Sequence, residues 1–193
     1  MKDYFLIQKP YKYDVLVNKK NKLPDNYVPA DLNLISKEYS DSKQHLRNIA
    51  QINFEKMAKD IEKEGLKIIA VSTYRDSEYQ DKLFNNYVQE KGLEYASMCS
   101  AKKGFSEHQT GLAVDIASSN LDYDNFDKTE EFKWVKNHAH NYGFILRYPK
   151  DKVNITGYKY EPWHYRYVGD IAPYIYLNNL TLEEFKEINT SNF

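Results

Sequence analysis

One decapeptide of the sequence, residues 106–115, concentrates side chains that could bind a metal ion. Its sequence is Ser-Glu-His-Gln-Thr-Gly-Leu-Ala-Val-Asp, so His108 and Asp115 lie seven residues apart with Gly111 between them. An imidazole and a carboxylate are ordinary zinc ligands, and a glycine lets the chain turn back between them. Asp115 lies in a short apolar run, where a carboxylate is costly unless it is paired or bound to a cation. Two ligands do not complete a zinc site, and the alternative is a loop histidine and a strand-end carboxylate that accepts hydrogen bonds.

A second stretch, residues 160–169, supplies a third candidate ligand and a further carboxylate. Its sequence, Tyr-Glu-Pro-Trp-His-Tyr-Arg-Tyr-Val-Gly, places Glu161 three residues before His164. Three protein ligands with an open fourth position are typical of catalytic zinc. A nearby carboxylate can take a proton from water and later give it to a leaving amine. Residues three apart in a regular strand point to opposite faces, so both side chains can face one metal only if the chain bends, and Pro162 is positioned to cause the bend.

Together the two motifs resemble those of the VanY-type D-alanyl-D-alanine carboxypeptidases, with the related LD-carboxypeptidases and bifunctional VanXY enzymes. The family pattern is Ser-x-His-x-x-Gly-x-Ala-x-Asp followed by Glu-x-x-His. The residues that match it are Ser106, His108, Gly111, Ala113, Asp115, Glu161 and His164. The resemblance spans about residues 14 to 186, and two motifs in order are far more specific than either one alone. It implies a sheet of antiparallel strands with helices packed around it, and one bound Zn²⁺ ion.

The resemblance also implies a role for each candidate residue. His108, Asp115 and His164 would bind the metal, and Glu161 and Arg75 would be catalytic. The substrate-binding candidates are Ser106, Gln80, Trp163 and Tyr165. Ser106 would help to bind a terminal carboxylate.

For three of these residues, a purely structural role is the alternative to a role in the site. Spacing alone favours a surface ion pair of Arg75 with a neighbouring acidic residue, Asp76 or Glu78. Gln80 could be the capping-box partner of Ser77, and Trp163 could belong to the core.

Composition narrows the remaining possibilities. The chain has 193 residues, which favours one domain over residues 1–193, with an irregular lead-in over 1–35. The 27 basic and 28 acidic residues leave a net charge of −1, so nucleic acid is not an expected partner. A single cysteine, Cys99, excludes an intrachain disulfide and is expected to be an incidental thiol. We expect a monomer.

The sequence contains no apolar run long enough to span a membrane and no signal-peptide pattern at its start. An enzyme of the cell wall needs export. The expected location is therefore extracytoplasmic if an export or anchor segment is missing from this chain, and the alternative is the cytoplasm.

The pattern of strands and helices predicts an α+β fold, which agrees with the central antiparallel sheet and surrounding helices that the resemblance implies. An apolar stripe predicts a helix over residues 40–65, and a strand follows over 66–72. A further helix, capped by Asp76 or Ser77, should run to about residue 91 and end at Gly92, followed by a loop over 93–107. The remaining predictions are strands over 112–117, 144–148 and 158–168, a turn over 150–157, a helix capped by Asp127, a short helix over 171–177, and a last helix opened by a capping box at Thr181.

Two classes of function follow. The first is a zinc carboxypeptidase. The resemblance implies that it removes the C-terminal D-alanine of peptidoglycan stem peptides or their precursors, with DD-carboxypeptidase activity favoured over LD-carboxypeptidase or DD-dipeptidase activity. The second is a non-catalytic zinc module that binds wall peptides. Glu161 favours the enzyme, because a structural zinc site does not need a free carboxylate beside it.

Overall fold

The computed structural model describes residues 3–190, and its centre is a four-stranded antiparallel sheet with helices packed around it. This confirms the predicted α+β class. Two further pairs of short strands lie outside the central sheet. In chain order the elements are β1 (Phe5–Leu6), β2 (Asn21–Lys22), β3 (Leu32–Leu34), β4 (His45–Arg47), α1 (Asn48–Glu62), β5 (Ile68–Ser72), α2 (Ser77–Cys99), β6 (Ala113–Ser118), α3 (Glu130–His138), β7 (Phe144–Leu146), α4 (Val153–Thr156), β8 (His164–Tyr167), α5 (Ala172–Leu177) and α6 (Leu182–Thr190).

The central sheet has the strand order β5-β6-β8-β7, and each neighbouring pair is antiparallel. In the middle of the sheet, Val114 pairs with Tyr165 and Asp115 pairs with His164. Because side chains alternate across a strand, the first pair points to one face and the second pair to the other. The sheet therefore has an apolar face and a face that carries candidate metal ligands.

Helix α1 covers the apolar face of the sheet. Its buried residues fall at three- and four-residue steps and form one stripe: Ala50, Phe54, Met57, Ala58 and Ile61. The ring of Phe54 meets that of Phe144 edge to face, with centroids 6.5 Å apart. Burial of a side chain of this size contributes about 1.5–3 kcal/mol, so the packing of α1 fixes the sheet on which the site is built.

The predicted helix over residues 40–65 is wrong in its first part. The helix begins at Asn48, because residues 45–47 form β4 and pair with β3. The His45 N–H donates to Thr73 Oγ1 at 2.9 Å, and the His45 carbonyl accepts from the Tyr74 N–H at 3.0 Å. Leu46 is fully buried, so its place in the apolar stripe is equally compatible with a strand.

Helix α2 begins as the sequence predicts, and a second helical segment follows its predicted end. The Asp76 carboxylate caps it by accepting the Tyr79 N–H at 2.7 Å. Gly92 has φ 83° and ψ 162°, which is not helical, so the first helical segment ends there as predicted, and a second segment continues as far as Cys99. The predicted loop over 93–107 is therefore wrong for residues 93–99. Ala96, in the second helical segment, is fully buried.

The C-terminal half departs from prediction at three points. Thr129, rather than Asp127, caps α3 by accepting the Phe132 N–H at 3.1 Å. The turn over 150–157 contains the short helix α4. The strand over 158–168 is confined to His164–Tyr167.

The start of α6 is confirmed. The Thr181 N–H donates to Glu184 Oε2 at 2.7 Å, and the Glu184 N–H donates to Thr181 Oγ1 at 3.2 Å, which is a capping box. None of the helices within residues 3–190 combines the length and apolar composition needed to cross a lipid bilayer.

Candidate active site

The structure brings the three predicted metal ligands together. His108 lies in a 3₁₀ turn (Glu107–Thr110), Asp115 in β6, and His164 at the first residue of β8. Nε2 of His108 lies 3.3 Å from Oδ2 of Asp115, and Nδ1 of His164 lies 3.0 Å from Oδ1 of Asp115. The ligand atoms of all three side chains lie within 4.8 Å of one another.

These separations fit a tetrahedral divalent cation. Zinc–ligand bonds of about 2.0–2.2 Å place neighbouring ligand atoms about 3.3 Å apart in a tetrahedron. His108 Nδ1 lies 2.6 Å from the Thr73 carbonyl, which only accepts, so Nδ1 carries the proton and Nε2 keeps its lone pair. That Nε2 atom is buried and has no hydrogen-bond partner within residues 3–190. A bound cation satisfies this lone pair, which the Asp115 carboxylate cannot do.

Gly111 makes the turn between two of the ligands possible. Its φ of 66° lies in the left-handed region, and its N–H closes the 3₁₀ turn on the His108 carbonyl at 3.1 Å. A Cβ atom at this position would lie 2.8 Å from Leu32 Cδ2 and 3.0 Å from Arg47 Cγ. The glycine therefore supplies both the conformation and the space that bring His108 back over β6.

Burial and mutual contact shape the protonation of the three ligands. Burial, with a contribution from Arg75, lowers the pKa of His108 to about 4, so this imidazole is neutral at pH 7. Burial alone would raise the pKa of Asp115, but the two imidazoles hold it well below its usual range. Burial alone would lower the pKa of His164, but hydrogen bonds to Asp115 and Glu107 raise it to about 9. A cation must therefore displace a proton from His164 when it binds.

Glu161 lies beside the ligand cluster in the turn that precedes β8. Its Oε2 atom is 3.9 Å from His164 Nδ1, and the residue is 7% exposed. Strand β8 begins only at His164, so Glu161 lies outside the strand. The alternation of side chains along a strand therefore does not prevent Glu161 and His164 from facing the same point. Burial raises the pKa of Glu161 to about 7, and the charge of Asp115 adds to the effect. A carboxylate with such a pKa can both accept and donate a proton near neutral pH.

Arg75 lines the cleft and does not form the surface ion pair that spacing alone favours. Asp76 caps α2, and Glu78 pairs with Lys103 at 2.6 Å. The backbone N–H of Arg75 donates to the His108 carbonyl at 3.3 Å, which ties Arg75 to the 3₁₀ turn that carries His108. Its Nε atom is buried without a hydrogen-bond partner in the described chain. Arg75 therefore has unused donor capacity in the cleft, a property suited to a carboxylate or an oxyanion.

Ser106 and Gln80 also line the cleft, and each makes contacts within the protein. Ser106 Oγ accepts the His108 N–H at 3.3 Å and caps the 3₁₀ turn. Gln80 Nε2 donates to Ser100 Oγ at 3.2 Å and to the Ala101 carbonyl at 2.7 Å, while its Oε1 has no partner among residues 3–190. These contacts hold both residues in place, and the Ser106 hydroxyl proton remains available to a ligand.

Trp163 and Tyr165 have different environments. Trp163 lines the cleft and meets the Tyr123 ring edge to face at 5.4 Å. Tyr165 is fully buried in the hydrophobic core and does not line the cleft, so its predicted pocket role is corrected. The reason is strand alternation, since His164 faces the site and the next residue must face the core. The cleft, with a volume of about 280 Å³, contains the other eight predicted site residues.

Sequence reasoning missed Glu107, which lies between two residues of the first motif. Its carboxylate is fully buried and contacts His164, Arg147 and Arg166. Burial alone would raise the pKa of Glu107, but the two guanidinium groups hold it well below its usual range. The arginines lie 40 and 59 residues further along the chain, so local spacing carried no signal for this contact.

Two tyrosines and the single cysteine complete one wall of the cleft. The Tyr148 ring lies 4.8 Å from the His164 ring and 4.9 Å from the Tyr158 ring. Cys99 also lines the cleft, and burial raises the pKa of its thiol. A thiol with a raised pKa is a weak nucleophile, which agrees with the expectation of an incidental cysteine.

Comparison with known families decides the identity of this arrangement. The model of the VanY family, described as D-alanyl-D-alanine carboxypeptidase, matches residues 43–170. The chain belongs to the VanY family. The matched range contains both motifs and all three residues of the His-Asp-His cluster.

Relatives support the family assignment over most of the chain. YodJ of Bacillus subtilis (strain 168), named as a carboxypeptidase candidate, is 44% identical over 189 residues, covering 94% of this chain and 69% of YodJ. A D-alanyl-D-alanine carboxypeptidase of Enterococcus faecium is 38% identical over 190 residues, covering 95% of this chain and 55% of the relative. This chain thus spans a little over half of that enzyme.

Three solved structures share the fold of this chain. The LdcB LD-carboxypeptidase has a TM-score of 0.90 and 42% identity, covering 97% of this chain and 91% of LdcB. VanYB in complex with D-alanine-D-alanine has a TM-score of 0.80 and 31% identity, covering 91% of this chain and 97% of VanYB. A glutamate-to-alanine mutant of the D,D-pentapeptidase VanY in complex with Zn(II) has a TM-score of 0.78 and 32% identity, covering 90% of this chain and 98% of that mutant.

Proposed function

We propose that this VanY-family chain is a zinc carboxypeptidase that releases the C-terminal D-alanine of peptidoglycan stem peptides or their precursors. The observation that carries the proposal is the triangle of His108, Asp115 and His164 with the buried carboxylate of Glu161 beside it. The donor set and the spacing of its atoms fit Zn²⁺. The complexes of VanYB with D-alanine-D-alanine and of VanY with Zn(II) support the same metal and substrate class.

Glu161 is the proposed proton carrier. When bound, zinc acts as a Lewis acid that activates water and polarises the scissile carbonyl. The Glu161 carboxylate takes the proton from the attacking water and delivers it to the nitrogen of the departing D-alanine as the carbon–nitrogen bond breaks. Burial supports both halves of this task, because it raises the pKa of Glu161 to about 7.

Arg75 and three neighbours are proposed to position the substrate. Arg75 lines the cleft and its Nε has no partner among residues 3–190, so its guanidinium group can orient the scissile carbonyl and stabilise the developing negative charge. The Ser106 hydroxyl would donate to the free carboxylate. Both Nε2 protons of Gln80 are used within the protein, so its free Oε1 would accept an N–H of the peptide. Trp163 would pack against the peptide. Tyr165 has no part in this scheme.

The residue before the cut distinguishes two candidate reactions. The family model favours DD-carboxypeptidase activity, in which that residue is a D-amino acid. The similarity to LdcB favours LD-carboxypeptidase activity as the second candidate, since its TM-score of 0.90 exceeds the 0.80 of VanYB. Both reactions release D-alanine through the same ligands and the same Glu161.

We further propose that residues 1–193 act as one catalytic domain and as a monomer. The substrates of the family are cell-wall peptides, which supports an extracytoplasmic, wall-associated site of action. Size-exclusion chromatography with light scattering tests the monomer, and fractionation of cells tests the location.

One assay tests the activity. The zinc-loaded protein is incubated with a pentapeptide stem, a tetrapeptide stem and the dipeptide D-alanine-D-alanine, and products are identified by mass. Loss of one D-alanine from the pentapeptide is the expected result. Loss from the tetrapeptide alone identifies the LD-carboxypeptidase, and cleavage of the dipeptide identifies a dipeptidase. A protein that retains these peptides without cleaving them is the non-catalytic binding module.

A further inference from the structure

Glu107 joins a candidate metal ligand to a buried network of charges. Its Oε2 atom lies 3.3 Å from His164 Nε2. Its Oε1 atom accepts from Arg147 Nε and from Arg166 Nη1, both at 2.8 Å. The side chains of Glu107 and both arginines are 0% exposed, so water does not screen these contacts.

Both arginines are held by further partners. Arg147 forms a two-pronged pair with Glu183, at 2.8 and 2.7 Å. Arg166 Nη2 donates to the carbonyls of Tyr13, at 3.0 Å, and Val15, at 2.8 Å. The Glu107 carboxylate is therefore fixed by groups that α6 and the N-terminal segment hold in place. Guanidinium pairs of this kind have strongly preferred geometry, so little freedom remains for Oε2.

The contact with Glu107 determines which nitrogen of His164 keeps its proton when the other nitrogen binds a cation. An ionised carboxylate only accepts, so Nε2 must donate to Oε2. Nδ1 is the atom that faces Asp115, at 3.0 Å. A neutral imidazole with its proton on Nε2 has its lone pair on Nδ1, the position where the cation binds.

We propose that Glu107 is a positioning residue that selects the Nδ1-ligating form of His164, and that Arg147 and Arg166 hold Glu107 for this purpose. The inference rests on the proposed zinc site. It goes beyond that site because it assigns a function in metal binding to three residues that are not ligands. It also explains why the chain carries a fully buried carboxylate with two cations next to its metal turn.

The substitution Glu107→Gln tests the proposal, because an amide has one accepting and one donating end. The two arginine donors keep the amide oxygen at the Oε1 position, so the NH₂ group faces His164 Nε2. Nε2 must then accept, and the ring proton moves to Nδ1, which blocks the ligand atom. We expect zinc affinity to fall by about 10- to 100-fold, the usual effect of losing such a partner.

Glu183→Gln is the matched control. Glu183 is a buried carboxylate that binds the same Arg147 but does not contact His164. If Glu107 served only to balance charge, both variants would lose stability and zinc affinity together. If it selects the form of His164, only Glu107→Gln changes zinc affinity, while both lose stability of the zinc-free protein.

Zinc affinity is measured by competition with a chromophoric chelator, and the cobalt(II) absorption spectrum reports ligand geometry. We expect weaker zinc binding and an altered cobalt spectrum for Glu107→Gln, and wild-type values for Glu183→Gln. Wild-type zinc affinity in Glu107→Gln, or equal losses in both variants, would overturn the proposal. Turnover of the wild-type protein is measured in parallel, so a chain that binds zinc without releasing D-alanine refutes the proposed activity and leaves this inference intact.

A second variant covers the case in which Glu107→Gln does not fold. Its two arginines would face a single carboxylate, Glu183, and an unpaired buried charge is strongly destabilising. In the double variant Glu107→Gln/Arg166→Met, Arg147 still pairs with Glu183, so the network is again neutral. The amide still faces His164, and the same loss of zinc affinity is expected. Unchanged affinity in the double variant contradicts the proposal equally well.

Discussion

Replacement of Glu161 by glutamine should remove activity and raise the stability of the zinc-free protein at the same time. General acid–base catalysis contributes about 10²- to 10⁴-fold for one proton transfer, and Glu161 serves as both base and acid. We therefore expect kcat to fall by at least about 10³-fold, or ~4 kcal/mol in the activation barrier. Zinc content should not change, because Glu161 is not one of the three ligands.

The gain in stability follows from the pKa of Glu161, which burial raises from 4.5 to about 7. As pH rises above 4.5, the unfolded chain ionises this group before the folded protein does, and the folded protein loses stability. The loss is complete above about pH 7 and is on the order of 3 kcal/mol. Glutamine does not ionise, so the variant escapes this loss.

Denaturant unfolding of zinc-free wild type and variant, at about pH 4.5 and about pH 8, measures the effect. The stability difference between the two proteins should grow with pH in favour of Glu161→Gln. Glu130→Gln is the control, since Glu130 pairs with Lys133 on an exposed face of α3 and should alter neither activity nor this difference. A Glu161→Gln variant with near-normal turnover, or with no stability gain at the higher pH, would refute the reasoning.

Three further predictions concern neighbouring features of the site. The first is that kcat/KM should fall on the acid side with an inflection at or below about pH 7. Glu161 must be ionised to accept a proton, and a bound cation favours the ionised form. Activity that does not fall even below pH 4.5 contradicts this role. Gly111→Ala should lower the free energy of unfolding by about 1–2 kcal/mol and weaken zinc binding. The reason is that Gly111 has φ 66° and that a Cβ there would lie 2.8 Å from Leu32 Cδ2. Calorimetry and zinc titration of the purified variant check this. Tyr165→Phe should leave kcat and KM unchanged and preserve or increase thermal stability, because it removes a buried hydroxyl that has no partner within residues 3–190. A rise in KM would show that Tyr165 contributes to substrate binding.

The sequence was sufficient for those parts of the site that are local in the chain. The spacing of His108, Gly111 and Asp115 encodes a turn that returns to a strand, and this needs only the geometry of about ten residues. The capping box at Thr181 is equally local and was predicted correctly. Arg75 follows the predicted strand over 66–72, and the structure places it between β5 and α2.

Long-range partners account for what the sequence did not predict. Residues 45–47 fit a helical stripe, but β3 supplies the backbone partners that make them a strand. Tyr165 follows a metal ligand, and only the start of β8 at His164 shows that it faces the core. Glu107 needs Arg147 and Arg166 from distant parts of the chain, so nothing near it predicted a buried carboxylate.

The position of the metal tests the central claim most directly. Crystals of the zinc-loaded protein, with anomalous diffraction recorded at the zinc edge, locate the ion without reference to activity. We predict one zinc ion bound to Nε2 of His108, a carboxylate oxygen of Asp115 and Nδ1 of His164, with Glu161 adjacent but not coordinated. Zinc at any other position, or Glu161 as a direct ligand, would contradict the account.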